Sequence, residues 1–105
     1  MDEQLRGRLR TGADAPSRGE QSMPLATVHG VVVEQILSGR IDAPVNYLAD
    51  VDEWVVVLEG RATLEVAGES VELRTGDWVL LPARTPHRLV DTDPGTNWLT
   101  VTGHA

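Results

Sequence analysis

The chain holds 105 residues, with sixteen Asp and Glu against nine Arg, no Lys and no Cys, for a formal charge of −7. That length makes one domain able to bury its own core, and the missing thiols exclude a disulfide framework or a thiolate metal site. An acidic balance argues against nucleic acid as a partner, because a phosphate-tracking surface needs clustered positive charge. No apolar run is long enough to span a bilayer and no signal-peptide core follows the first residues, so no membrane partner and a cytoplasmic address are the default expectations.

Residues 1–20 set Arg6, Arg8, Arg10 and Arg18 against Asp2, Glu3, Asp14 and Glu20, so the whole −7 belongs to residues 21–105. With Leu5 and Leu9 as its chief apolar side chains, this stretch buries too little surface to offset its ordering entropy. Residues 1–24 are therefore expected as a flexible or loosely docked arm, and residues 25–105 as the folded domain. Strands are expected at Val31–Leu37, Trp54–Leu58, Ala62–Val66, through Val71 and Leu73, at Trp78–Leu81, His87–Val90 and Thr96–Thr102. Turn chemistry separates them: Ser38-Gly39, Glu59-Gly60, Ala67-Gly68-Glu69, Thr75-Gly76-Asp77, a Pro82–Pro86 loop and Asp93-Pro94-Gly95. Trp54–Leu58 is apolar on both faces and reads as a central strand, whereas Ala62, Leu64 and Val66 alternate with polar residues in a half-buried one. Seven or eight short antiparallel strands without a helix of three turns define an all-β sandwich, jelly roll or closed barrel.

Two spacings in this region form a signature. Glu53 is followed after six residues by Gly60, and Gly76 is followed after five residues by Pro82 and then by His87. In that order, within the stretches DEWVVVLEGRATLEV, LRTGDWVLLPARTPHRLV and TNWLTV, they resemble the paired motifs of the cupin superfamily, in particular its small single-domain, cupin-2-like barrels. The resemblance covers roughly residues 28–102 and implies a double-stranded β-helix, or jelly-roll, barrel that forms a homodimer. Glu53 shares a strand face with Val55 and Val57, and His87 with Leu89, so inward-pointing faces bring a carboxylate and an imidazole into an apolar interior.

In metal-binding cupins a His-x-His pair ahead of the Glu completes a ligand set with the later His, suited to Fe(II), Mn, Ni, Cu or Zn. Carried over to this chain, Glu53 and His87 stand at ligand positions. The pair would fall at Tyr47 and Ala49, or at Asn46 and Leu48, where no His stands. A divalent transition metal at Glu53 and His87 then needs a third ligand from Tyr47, Asp50 or His29; His104 stands two residues past the expected end of the last strand. Sites with fewer than three strong protein ligands rarely hold such ions firmly.

Three functions follow. The first is a small-molecule-binding barrel in which Glu53 and His87 carry out a proton transfer of isomerase, cyclase or lyase type on a small polar metabolite. Tyr47, Arg84 and Trp98 are its candidate substrate contacts, Arg84 because its planar fork suits a carboxylate. With Asp50, Asp52 and Glu53 near the expected mouth, an anionic ligand would rely on Arg84 and Arg88. The second is a metal-dependent dioxygenase or related oxidoreductase, and the third a non-catalytic dimeric sensor or scaffold; the fold does not choose among them. Trp54, Trp78 and Trp98 are expected in the core or at a subunit interface. Val31–Leu37, too apolar for an edge left exposed, points indirectly to a dimer.

Overall fold

The computed structural model describes residues 5–103. The described residues form an all-β jelly roll of nine strands: β1 Glu20–Val28, β2 Val31–Ser38, β3 Val45–Tyr47, β4 Glu53–Glu59, β5 Arg61–Val66, β6 Glu69–Arg74, β7 Trp78–Leu81, β8 His87–Thr92 and β9 Thr96–Thr102. These form a five-stranded sheet in the order β1-β2-β9-β4-β7 and a four-stranded sheet in the order β3-β8-β5-β6. Their inner faces meet in one core. Val55, Val57, Leu81 and Trp98 come from the larger sheet, and Ala62, Leu64, Leu73 and Leu89 from the smaller, all buried. The strict alternation along β4 and β5 produces this, since successive side chains of a strand point to opposite faces. Gly60 makes the sharp β4–β5 turn with φ +94°, and a Cβ there would press on Thr96, so both conformation and space call for glycine.

Two strands depart from expectation. β1 starts at Glu20 and so occupies residues 20–24 of the stretch read as an arm. It is an edge strand in which only Met23 is even half-buried, and Pro24 with the adjacent bulge at residues 24–26 interrupts its pairing with β2. An edge strand of this kind leaves no apolar alternation to read. Because β1 lies outside it, β2 is not an edge: it pairs with β1 on one side and β9 on the other. The apolar character of Val31–Leu37 therefore reflects an interior position and lends no support to a dimer. The second unforeseen strand, β3, is a three-residue segment paired with β8 that sets Tyr47 directly opposite His87.

The segment ahead of β1 is fastened to the outer side of the larger sheet. The Gln35 side chain, 1 % exposed, accepts from the Arg10 amide at 3.0 Å and donates to the Arg10 carbonyl at 2.8 Å. Glu59 then accepts from the Gly12 amide at 2.9 Å and from Asn97 at 2.7 Å. A Cβ on Gly12 would strike the Gly95 carbonyl, so this approach depends on glycine.

Candidate functional site

Between the sheets lies a cavity of about 250 Å³. Its apolar wall is Ile36, Val55, Leu64, Leu81, Leu89 and Trp98, and its polar groups are Glu20, Ser22, Glu34, Glu53, Tyr47, His87 and Thr100. Of the residues singled out in the sequence, Glu53, His87, Tyr47 and Trp98 are brought together here. Glu53 comes from β4 of the larger sheet and His87 from β8 of the smaller, so the carboxylate and the imidazole enter from opposite sides.

Strand register places each group. Tyr47 and His87 are direct partners of the β3–β8 ladder, and their rings stack with centroids 5.4 Å apart at 15°. His87 Nδ1 lies 3.4 Å from the Thr85 carbonyl oxygen; a proton on Nδ1 points there and leaves Nε2 as the free nitrogen. Glu53 opens β4 beside Thr102 of β9, whose hydroxyl donates to Glu53 Oε2 at 3.2 Å. A hydrogen-bonded chain runs along one rim. Trp98 Nε1 donates to Ser38 Oγ at 3.0 Å, Ser38 to Glu20 Oε2 at 2.7 Å, and the Tyr47 hydroxyl to Glu20 Oε1 at 2.9 Å. Trp98 thus contributes an apolar face to the cavity while its N–H is committed elsewhere. Burial pushes the Tyr47 hydroxyl well above its ordinary value, with further upward shifts from the charge and hydrogen bond of Glu20 and the charge of Glu53. Tyr47 therefore remains a neutral donor rather than a phenolate.

Other expected participants lie elsewhere. Arg84 sits exposed in the Pro82–Pro86 loop with φ +59°. That loop is pinned by Arg84 N–H donating to the Ala49 carbonyl at 2.7 Å and Ala83 N–H donating to Asp52 at 2.8 Å. It does not line the cavity, nor does Arg88, which pairs with Glu65 at 3.5 Å. An anion held by Arg84 and Arg88 would therefore sit outside this cavity. Asp50 is exposed and also absent from the wall. His29 is not on a strand but in the β1–β2 turn with φ +51°, outside the cavity. His104 lies outside the described residues.

The metal implied by the resemblance finds no matching donor set. Among the described residues no three His, Cys, Asp or Glu side chains gather to hold an ion. Of the third ligands considered, Asp50 and His29 do not reach the cavity, and Tyr47 stays protonated. The described residues do not fit such a group.

Sequence reasoning missed Glu20, Ser22, Glu34 and Thr100. Glu34 carried a usable signal, since it is the charged residue in the apolar run Val31–Leu37 and alternates in phase with Val32 and Ile36. Glu20 carried none, because it belongs to the unrecognised edge strand.

A two-sheet jelly roll with a cavity between its sheets is the architecture of the cupins. The Cupin domain family matches residues 32–101, and the chain belongs to that family. A search of curated proteins finds no match. Among solved structures, the chain is similar to a Ralstonia eutropha JMP134 protein whose assignment as a mannose-6-phosphate isomerase is provisional. That similarity is 34 % identity with TM-score 0.81, over 95 % of this chain and 100 % of the other. A Rhizobium leguminosarum bv. viciae 3841 protein of unknown function shares the fold at 22 % identity and TM-score 0.71, over 96 % and 100 %. KdgF from Halomonas sp. does so at 20 % and 0.68, over 80 % and 77 %. Among the described residues no helix is long and apolar enough to cross a membrane.

Proposed function

We propose that the chain is a small-molecule-binding cupin that moves a proton on a compact polar metabolite, in an isomerase, cyclase or lyase step. The observation carrying this reading is that Glu53 and His87 line one apolar-walled cavity from opposite sheets. A carboxylate and an imidazole on two sides of a bound ligand can remove a proton at one atom and supply one at another. Tyr47, held neutral against the Glu20 carboxylate, orients the imidazole by stacking. Similarity to a protein provisionally assigned as a sugar-phosphate isomerase supports the reading at the level of reaction type. The test is a thermal-shift screen of polyhydroxylated metabolites against wild type, Glu53→Gln and His87→Ala. Ligands that raise the wild-type Tm should lose most of that shift in both variants. Equal shifts in all three proteins would defeat the reading.

We propose also that two copies pair through the part of the larger sheet's outer face that the N-terminal segment leaves uncovered. Register aligns Val33, Val101, Trp54 and Leu80 in one row across four strands, and Leu99, Val56 and Trp78 in the next. Trp78 is 61 % and Leu80 52 % exposed. Neither row contains a charge, whereas the rest of a chain at −7 repels a second copy of itself. An uncharged apolar face that meets its own twin across a two-fold axis avoids that repulsion.

A further inference from the structure

Three carboxylates, Glu20, Glu34 and Glu53, line the cavity, while no Arg does and the chain has no Lys. They are not equally engaged. Glu20 accepts from Ser38 and Tyr47, and Glu53 from Thr102. Glu34 is half-buried, and no hydrogen bond or ion pair to its side chain occurs among the described residues. Next to it in register on β9 stands Thr100, which is 2 % exposed. Its Oγ1 is buried with no hydrogen-bond partner among the described residues, although the residue forms part of the cavity wall. Cross-strand partners place their side chains within reach of one bound atom.

A half-buried carboxylate without a cation and a buried hydroxyl without a partner each carry a cost that a suitable ligand removes. One group answers both, a positively charged nitrogen with several N–H bonds: one N–H points to Glu34, another to Thr100 Oγ1. Tyr47 and Trp98 add aromatic surface to the same cavity, a surface that attracts cations. A phosphate or carboxylate finds no such welcome among these three acids. We infer that the cavity selects a small organic cation with N–H donors, a protonated amine, held by Glu34 and Thr100. This deepens the proposed function and rests on the cavity being the ligand site.

The experiment titrates the full chain with benzylammonium, benzyl alcohol and benzoate, three probes that differ in charge, and follows backbone amide shifts of cavity residues by NMR. Benzylammonium should bind about tenfold or more tightly than benzyl alcohol, the difference expected for a charge-assisted hydrogen bond, and benzoate most weakly. Glu34→Gln should bring benzylammonium down to the affinity of benzyl alcohol, erasing the preference. Thr100→Val, which keeps shape and removes the hydroxyl, should weaken benzylammonium alone. Equal binding of all three probes, tighter binding of benzoate, or an unchanged preference in both variants would overturn cation selection while leaving the cavity as the ligand site. No probe perturbing cavity amides would overturn both.

Discussion

A buried hydroxyl without a partner is costly, and Thr100 carries such a group on β9 at 2 % exposure. Thr100→Val keeps the β-branched shape that suits a strand and removes the unpaired atom, so it should stabilise the ligand-free protein by about 1 kcal/mol in urea unfolding. At the same scale, the composition isolates Tyr47. It is the one Tyr in a chain with no Lys and no Cys, so between about pH 9 and pH 12 no other side chain titrates. Its folded value is raised above the ordinary 10.0 by burial and then by Glu20. The folded state therefore binds this proton more tightly than the unfolded state, and the linked stability is intact below about pH 10 and lost as pH rises beyond it. Unfolding curves should show that loss in wild type and not in Tyr47→Phe, and tyrosinate absorbance should appear at lower pH in urea than in buffer.

At the scale of elements, the N-terminal segment depends on Gln35. Its buried amide joins the Arg10 backbone to Asn97 on the outer side of β2 and β9. Gln35→Ala should cost about 2 kcal/mol in urea unfolding, since it orphans several groups at once. It should also speed hydrogen exchange at the Arg10 and Gly12 amides. The interior strands were legible in the sequence because packing against two neighbours imposes apolar alternation, as in β4 and β5. β1 and β3 were not, because an edge strand and a three-residue strand are specified by pairing with neighbours that are distant in sequence. The site divided along the same line. Glu53 and His87 lie on strands with clear faces, whereas Glu20 came with β1, and the placement of Tyr47 awaited β3. Arg84 and His29 lie outside the cavity, each at a left-handed turn position that side-chain chemistry does not reveal.

At the scale of the molecule, the two sheets perform different tasks. Their inner faces build the core and the cavity, while the part of the larger sheet's outer face not covered by the N-terminal segment is apolar around Trp54 and Trp78, whose rings lie 6.0 Å apart. Light scattering at micromolar concentration should give the mass of two chains for wild type and of one for a Trp78→Glu, Leu80→Glu double variant. A wild-type mass of one chain would contradict pairing through this face. The proton-transfer account is tested most directly by solvent deuterium. A metabolite that stabilises the protein is incubated with it in D2O, and loss of ligand C–H signal is followed by NMR. Wild type should exchange label into the ligand, and Glu53→Gln and His87→Ala should each do so about a hundredfold more slowly or worse, the usual weight of a positioned acid or base. No exchange by wild type, or the same rate in both variants, would contradict it.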